Sequence, residues 1–173
     1  MSQPKETISS LGLLPHYDLF INGEFVPSTN PDSKCTSTSP VDGSILSTFA
    51  NATKEDVDKA VDAAWTAFKT WKKTTPRQRS EILLKIADAI EKNKEKLAKI
   101  ETMDNGKTLR ETLNVDIPAA ASHFKYFAAC IIAEEGSSNI IDEQYLSIIL
   151  REPIGVVAKL SHGISLSLWE LGN

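Results

Sequence analysis

Few side chains in this sequence have types and spacing that could do chemistry. Two cysteines, Cys35 and Cys130, could act as thiolate nucleophiles, and His123, two helical turns before Cys130, is the imidazole that such a nucleophile would need as its base. The plainer expectation is a core thiol at Cys130, an ordinary helix residue at His123 and a thiol in a polar Ser/Thr-rich loop at Cys35. Near the far end, "REPIGVVAKLSHGISLSLWELGN" carries Lys159, His162 and Trp169 just after an apolar run. No Gly-rich phosphate cradle, H-E-x-x-H, G-x-S-x-G or paired-Cys motif occurs, and neither cysteine has metal-ligand company. The two cysteines could pair, but without a secretory signal two separate thiols are expected.

Composition narrows the classes. At 173 residues the chain is long enough for one domain that buries roughly 70% of its unfolded surface. Its 41% hydrophobic content, 24% charge and net charge of -4 are those of a soluble globular protein, without the basic excess that nucleic-acid binding needs. No run approaches the roughly 20 apolar residues of a membrane span, and the N-terminus lacks a basic start followed by an apolar stretch. The expectation is a cytoplasmic protein that meets neither membrane nor nucleic acid.

The elements that would position any site read as follows. "LFINGEFVPS" places Asn22-Gly23 between apolar residues, the signature of a type I′ hairpin. Residues 17–50 otherwise read as turn-rich loop with a short strand near Ile45 to Phe49. From Thr53, which reads as an N-cap with Glu55 and Asp56 behind it in the first turn, Val57, Ala60, Val61, Ala64, Phe68 and Trp71 recur at helical spacing. Thr75-Pro76 opens a second helix, and its apolar face continues through Ile82, Leu83, Ile86, Ile90, Leu97, Ile100 and Met103 to a stop at Asn105-Gly106. Thr108 with Glu111 reads as a capping box for a third helix, which Pro118 must kink or restart. Tyr145 to Arg151 alternates as a strand, and Ile154 to Val157 is continuous, as in a strand buried on both faces of a parallel sheet.

Taken in order, "LFINGEFVPS", "SPVDGSILSTFANATKEDVDKAVDAAWTAFKTW", "RQRSEILLKIADAIEKNKEKLAKIETMDNGKTLRET", "HFKYFAA" and "REPIGVV" resemble the N-terminal part of an NAD(P)-dependent aldehyde dehydrogenase. The resemblance implies an α/β fold: the N-terminal hairpin and three or more helices of the family's cofactor domain, with the start of its oligomerisation strand and parallel sheet, an incomplete Rossmann-like domain. It divides the chain into a flexible arm over 1–16, a partial NAD(P)-binding domain over 17–157 with an oligomerisation strand near 145–151, and a tail over 158–173. In the intact family a catalytic cysteine attacks the aldehyde, hydride passes from the thiohemiacetal to NAD or NADP, and a glutamate activates water for release of the acid.

The tail departs from the family, which continues after such a strand with a phrase close to G-Q-I-I-P-W-N-F-P. Val157 to Leu166 can be written GTG GCC AAA TTA TCC CAT GGA ATT TCC CTC. Read from the third base, this becomes GGC CAA ATT ATC CCA TGG AAT TTC CCT, which translates as the family phrase. The expectation is therefore a base lost near Val157, with the residues from Ala158 onward read out of frame and His162 and Trp169 without a selected role. The family's nucleophile, general base, cofactor-binding lysine and oxyanion-hole asparagine all lie beyond that point, so no catalytic, cofactor-binding or metal-ligating residue is assigned. Asp116 falls where some members hold a monovalent cation, and Glu101, Asp104 and Gly106 match a family phrase whose work looks structural. The sequence thus leads to a truncated fragment that is inactive and binds no cofactor alone, or to an interaction module that pairs with full-length aldehyde dehydrogenase subunits.

Overall fold

The structure is a computed structural model and describes residues 11–160. The Asn22-Gly23 turn forms as the sequence requires, with φ of 56° and 85° at its two residues. It joins β2 (Leu19–Ile21) to β3 (Glu24–Val26), and its register sets Phe20 opposite Phe25 with ring centroids 5.1 Å apart. Upstream, β1 (His16–Tyr17) runs parallel to β5 (Ile45–Ala50), which pairs antiparallel with β4 (Lys34–Thr38) in the order β1-β5-β4. Regular structure therefore begins inside the expected arm, where Leu11 is already buried. Cys35 lies on a strand rather than in a loop, because β5 offers β4 a ladder that its polar composition did not advertise.

The helix starts follow their caps. Thr53 and Thr75 each complete a reciprocal capping box, with Asp56 and Gln78, at the heads of α1 (Lys54–Trp71) and α2 (Pro76–Lys92). The long helix expected from Pro76 to Asn105 is broken at Asn93, whose backbone leaves the helical region and whose side-chain amide donates to the Ala89 carbonyl at 2.8 Å. Apolar periodicity runs through the break and conceals it. Beyond it, α3 (Lys94–Asn105) stops at Gly106 with φ 78°, where a Cβ would also lie 2.9 Å from the Pro40 ring. One turn of α4 (Leu109–Glu111) passes into a π turn over Thr112–Asp116, and Pro118 then sits in the first turn of α5 (Ile117–Ala133). The helical path is continuous from Leu109 to Ala133, and the wider π turn just before Pro118 accommodates the backbone hydrogen bond that proline cannot donate.

The core lies between α2, α3 and α5 and is built from small residues: Ala87, Ala98, Ala121 and Ala128 are buried, which lets the helices approach closely. Among the described residues the largest side chain under 2% exposed is Thr112. Trp65, Trp71, Phe20, Phe25, Ile148 and Leu150 all remain exposed.

The remaining ribbon pairs β6 (Ser137–Ile140) antiparallel with β7 (Leu146–Ile149), inside the strand expected over Tyr145 to Arg151. The expectation for Ile154 to Val157 is corrected: this run is not a strand, and Ile154 is 93% exposed. No strand lies beside it among the described residues, so its backbone has no ladder to join.

Candidate functional site

The residues singled out in "ETMDNGK" do come together, at the junction of α3, α4 and the π turn. The stop at Gly106 turns the chain so that Lys107 reaches back across the π turn, and its Nζ lies 2.8 Å from Asp116 Oδ2. Asp116 is buried, and the carboxylate beside Lys107 holds the ammonium pKa above its ordinary value despite partial burial. Around this pair Asn105 donates to Glu101 at 2.8 Å, its own Oδ1 accepts the Lys107 backbone N–H at 2.8 Å, and Asp104 accepts from Ser37 Oγ at 2.6 Å. Thr112 donates to the Ala98 carbonyl at 3.1 Å. These bonds join the end of one helix to the start of the next and to β4. The carboxylate of Asp116, where the family resemblance suggested a cation, faces Lys107. Among the described residues no group of three or more His, Cys, Asp or Glu side chains could hold a metal ion.

The cysteines and the histidine are not brought together. Cys35 is exposed and its thiol donates to Asn51 Oδ1 at 2.9 Å. Cys130 is exposed too, which corrects the expectation of a core thiol: it faces out from α5 beside Tyr126, whose phenol pKa its hydrogen bond raises. The two thiols are free. His123 Nδ1 is buried without a hydrogen-bond partner, so the imidazole activates neither. His162 and Trp169 lie outside the described residues.

A second polar centre escaped the sequence reading. Asp56 is buried at the head of α1 and accepts from the Thr53 backbone N–H at 3.0 Å, from Ser28 Oγ at 2.9 Å and from the Thr29 backbone N–H at 3.1 Å. These bonds, the Thr53 N–H foremost, hold its carboxyl far below the usual carboxylate range. The Thr53-x-x-Asp56 spacing could have announced it. Its role is to bind the loop after β3 to α1.

A dinucleotide needs a crevice at the ends of paired parallel strands and a phosphate-binding turn at a helix start. The described residues offer neither, since Ile154 to Val157 stands alone. An open cleft of about 660 Å³ at the break between α2 and α3 mixes Lys92, Lys94 and Lys96 with Glu91 and Glu95. Leu11 is the one apolar side chain among its lining residues, and no nucleophile or base is poised for chemistry there. No helix among the described residues is long and apolar enough to cross a membrane.

Comparison with known proteins bears on what such a scaffold belongs to. Residues 25–161 match the aldehyde dehydrogenase family. An acetaldehyde dehydrogenase of Pseudomonas aeruginosa is 48% identical over 160 residues, covering 91% of this chain and 31% of its own. A long-chain-aldehyde dehydrogenase of an Acinetobacter species is 42% identical over 171 residues, covering 97% and 34%. A betaine aldehyde dehydrogenase point mutant from Staphylococcus aureus, solved with NAD+, superposes with a TM-score of 0.76 at 31% identity, over 86% of this chain and 30% of that one. The chain thus spans about a third of the length of the relatives it matches.

Proposed function

This chain belongs to the aldehyde dehydrogenase family, and from that membership we infer that it supplies the hairpin, the helical flank and the first sheet segment of an NAD(P)-dependent aldehyde-oxidising enzyme. On its own it neither binds the dinucleotide nor oxidises aldehydes. One observation carries this reading: both thiols are exposed, and their hydrogen-bond partners are Asn51 and Tyr126 rather than a base. A nucleophile for acyl chemistry needs a neighbouring base or a depressed pKa. NAD and NADP titrated calorimetrically into the purified chain should give no binding heat; saturable binding of either would refute the reading. The chain is placed in the cytoplasm, where free thiols such as these stay reduced. Residues from Ala158 are read as out of frame, and sequencing the gene across the codons for Gly155 to Asn173 decides it.

The β6–β7 ribbon favours a second reading, an interaction module that pairs with full-length subunits. Ile140 is 82% exposed, Ile148 lies exposed on β7, and the ribbon has open edges, which invite another chain's strand. Mixed with an intact relative, the chain should form a discrete soluble complex that Ile148→Lys abolishes.

A further inference from the structure

Helix α1 is amphipathic by sequence yet scarcely packed. Of its 18 residues Asp56 alone is buried, and that residue is the polar anchor at its head. Val57, Val61 and Trp65, four residues apart and hence on one side of the helix, are 51%, 40% and 49% exposed. Against this stripe lies the extended run after Pro153: a Cβ on Gly155 would come 3.2 Å from the Trp65 ring. The flanking Ile154 and Val157 are open as well, with no strand beside them among the described residues. An apolar helix stripe with one strand-length apolar run beside it is half of an α/β layer, and the other half is a sheet edge with an apolar face.

We propose that the surface formed by the α1 stripe and the Ile154 to Val157 run is a docking surface for the remaining two-thirds of an aldehyde dehydrogenase chain, and accepts it as a separate polypeptide. The proposal rests on the functional reading above. The occupant follows from two facts. The relatives carry about two-thirds of their length outside the stretch matched here. What the surface lacks is also a sheet, which a second copy of this chain could not supply, since it would bring another bare stripe and another lone run. Docking would add a strand beside Ile154 to Val157 and lay the new sheet face over Trp65.

The test co-expresses the full 173-residue chain with the P. aeruginosa relative shortened by the segment that this chain matches. The expected result is a soluble one-to-one complex that forms NADH from acetaldehyde and NAD+, with neither piece active alone. Val61→Glu and Trp65→Asp should each abolish the complex while leaving the helical circular dichroism of the free chain unchanged, and Val41→Asp, in the loop between β4 and β5, should not. An insoluble or unassociated partner fragment overturns the proposal, as does a complex indifferent to both stripe variants, or self-association of this chain through the stripe. Turnover by the chain alone would instead sink the functional reading, so the two failures are distinguishable.

Discussion

At Asp116 a carboxylate is buried and Lys107 neutralises it at 2.8 Å. Removing the cation strands the charge, so Lys107→Met should lower stability by about 2–3 kcal/mol, below the ~3–5 kcal/mol of a fully enclosed pair because the lysine keeps some solvent contact. Urea unfolding at neutral pH checks this. Asp56 gives a pH signature. Its folded pKa is depressed, so its contribution is complete above the unfolded value of about 3.9 and is lost as pH falls toward the folded one. The stability gap between the native chain and Asp56→Asn should therefore be largest near neutral pH and close steadily below about pH 4; a gap that widens in acid would refute the assignment. Both residues stood in plain view in the sequence, but only the second was legible. Thr53-x-x-Asp56 is a local spacing that the helix start interprets. Lys107 and Asp116 meet only because Gly106 turns the chain and a π turn intervenes, and no periodicity encodes that.

Local chemistry fixed the helix ends well. Thr53, Thr75 and Gly106 cap α1, α2 and α3 where their residue types require. Thr75→Ala should cost about 1 kcal/mol. Gly106→Ala should cost at least about 1–2 kcal/mol, because alanine meets both a positive φ and the Pro40 ring. Thermal unfolding of the two variants would rank them. Three features were not legible. Asn93 breaks a helix whose apolar stripe continues, β4 is polar and draws its order from β5, and Ile154 to Val157 has strand composition without a strand to pair with. A strand exists only where its backbone groups find partners. The amides of Ile154 to Val157 should therefore exchange hydrogen within the dead time of a native-state experiment, while those of α2 and α5 are protected.

Among the described residues Phe20, Phe25, Trp65, Trp71, Ile148, Leu150 and Ile154 all stand exposed. Each large apolar side chain left in water forgoes about 1.5–3 kcal/mol that burial would have contributed. Five alanines with Leu11, Leu46 and Ile117, the buried apolar residues among those described, do not replace that, which is why the fold reads as one flank of a larger body rather than as a closed domain. The hairpin, the helix starts and the second strand of the ribbon were legible in the sequence because they are local; β6, polar at Ser137 to Asn139, carried no strand signal, and the sheet that should cover the helices is not among the described residues. What remains is a family scaffold whose own thiols are unactivated. The measurement that tests this most directly is aldehyde-dependent formation of NADH by the purified 173-residue chain, with acetaldehyde and NAD+ in excess. The account predicts a rate no greater than the buffer blank. Turnover that survives purification to homogeneity and disappears in Cys130→Ser would contradict it.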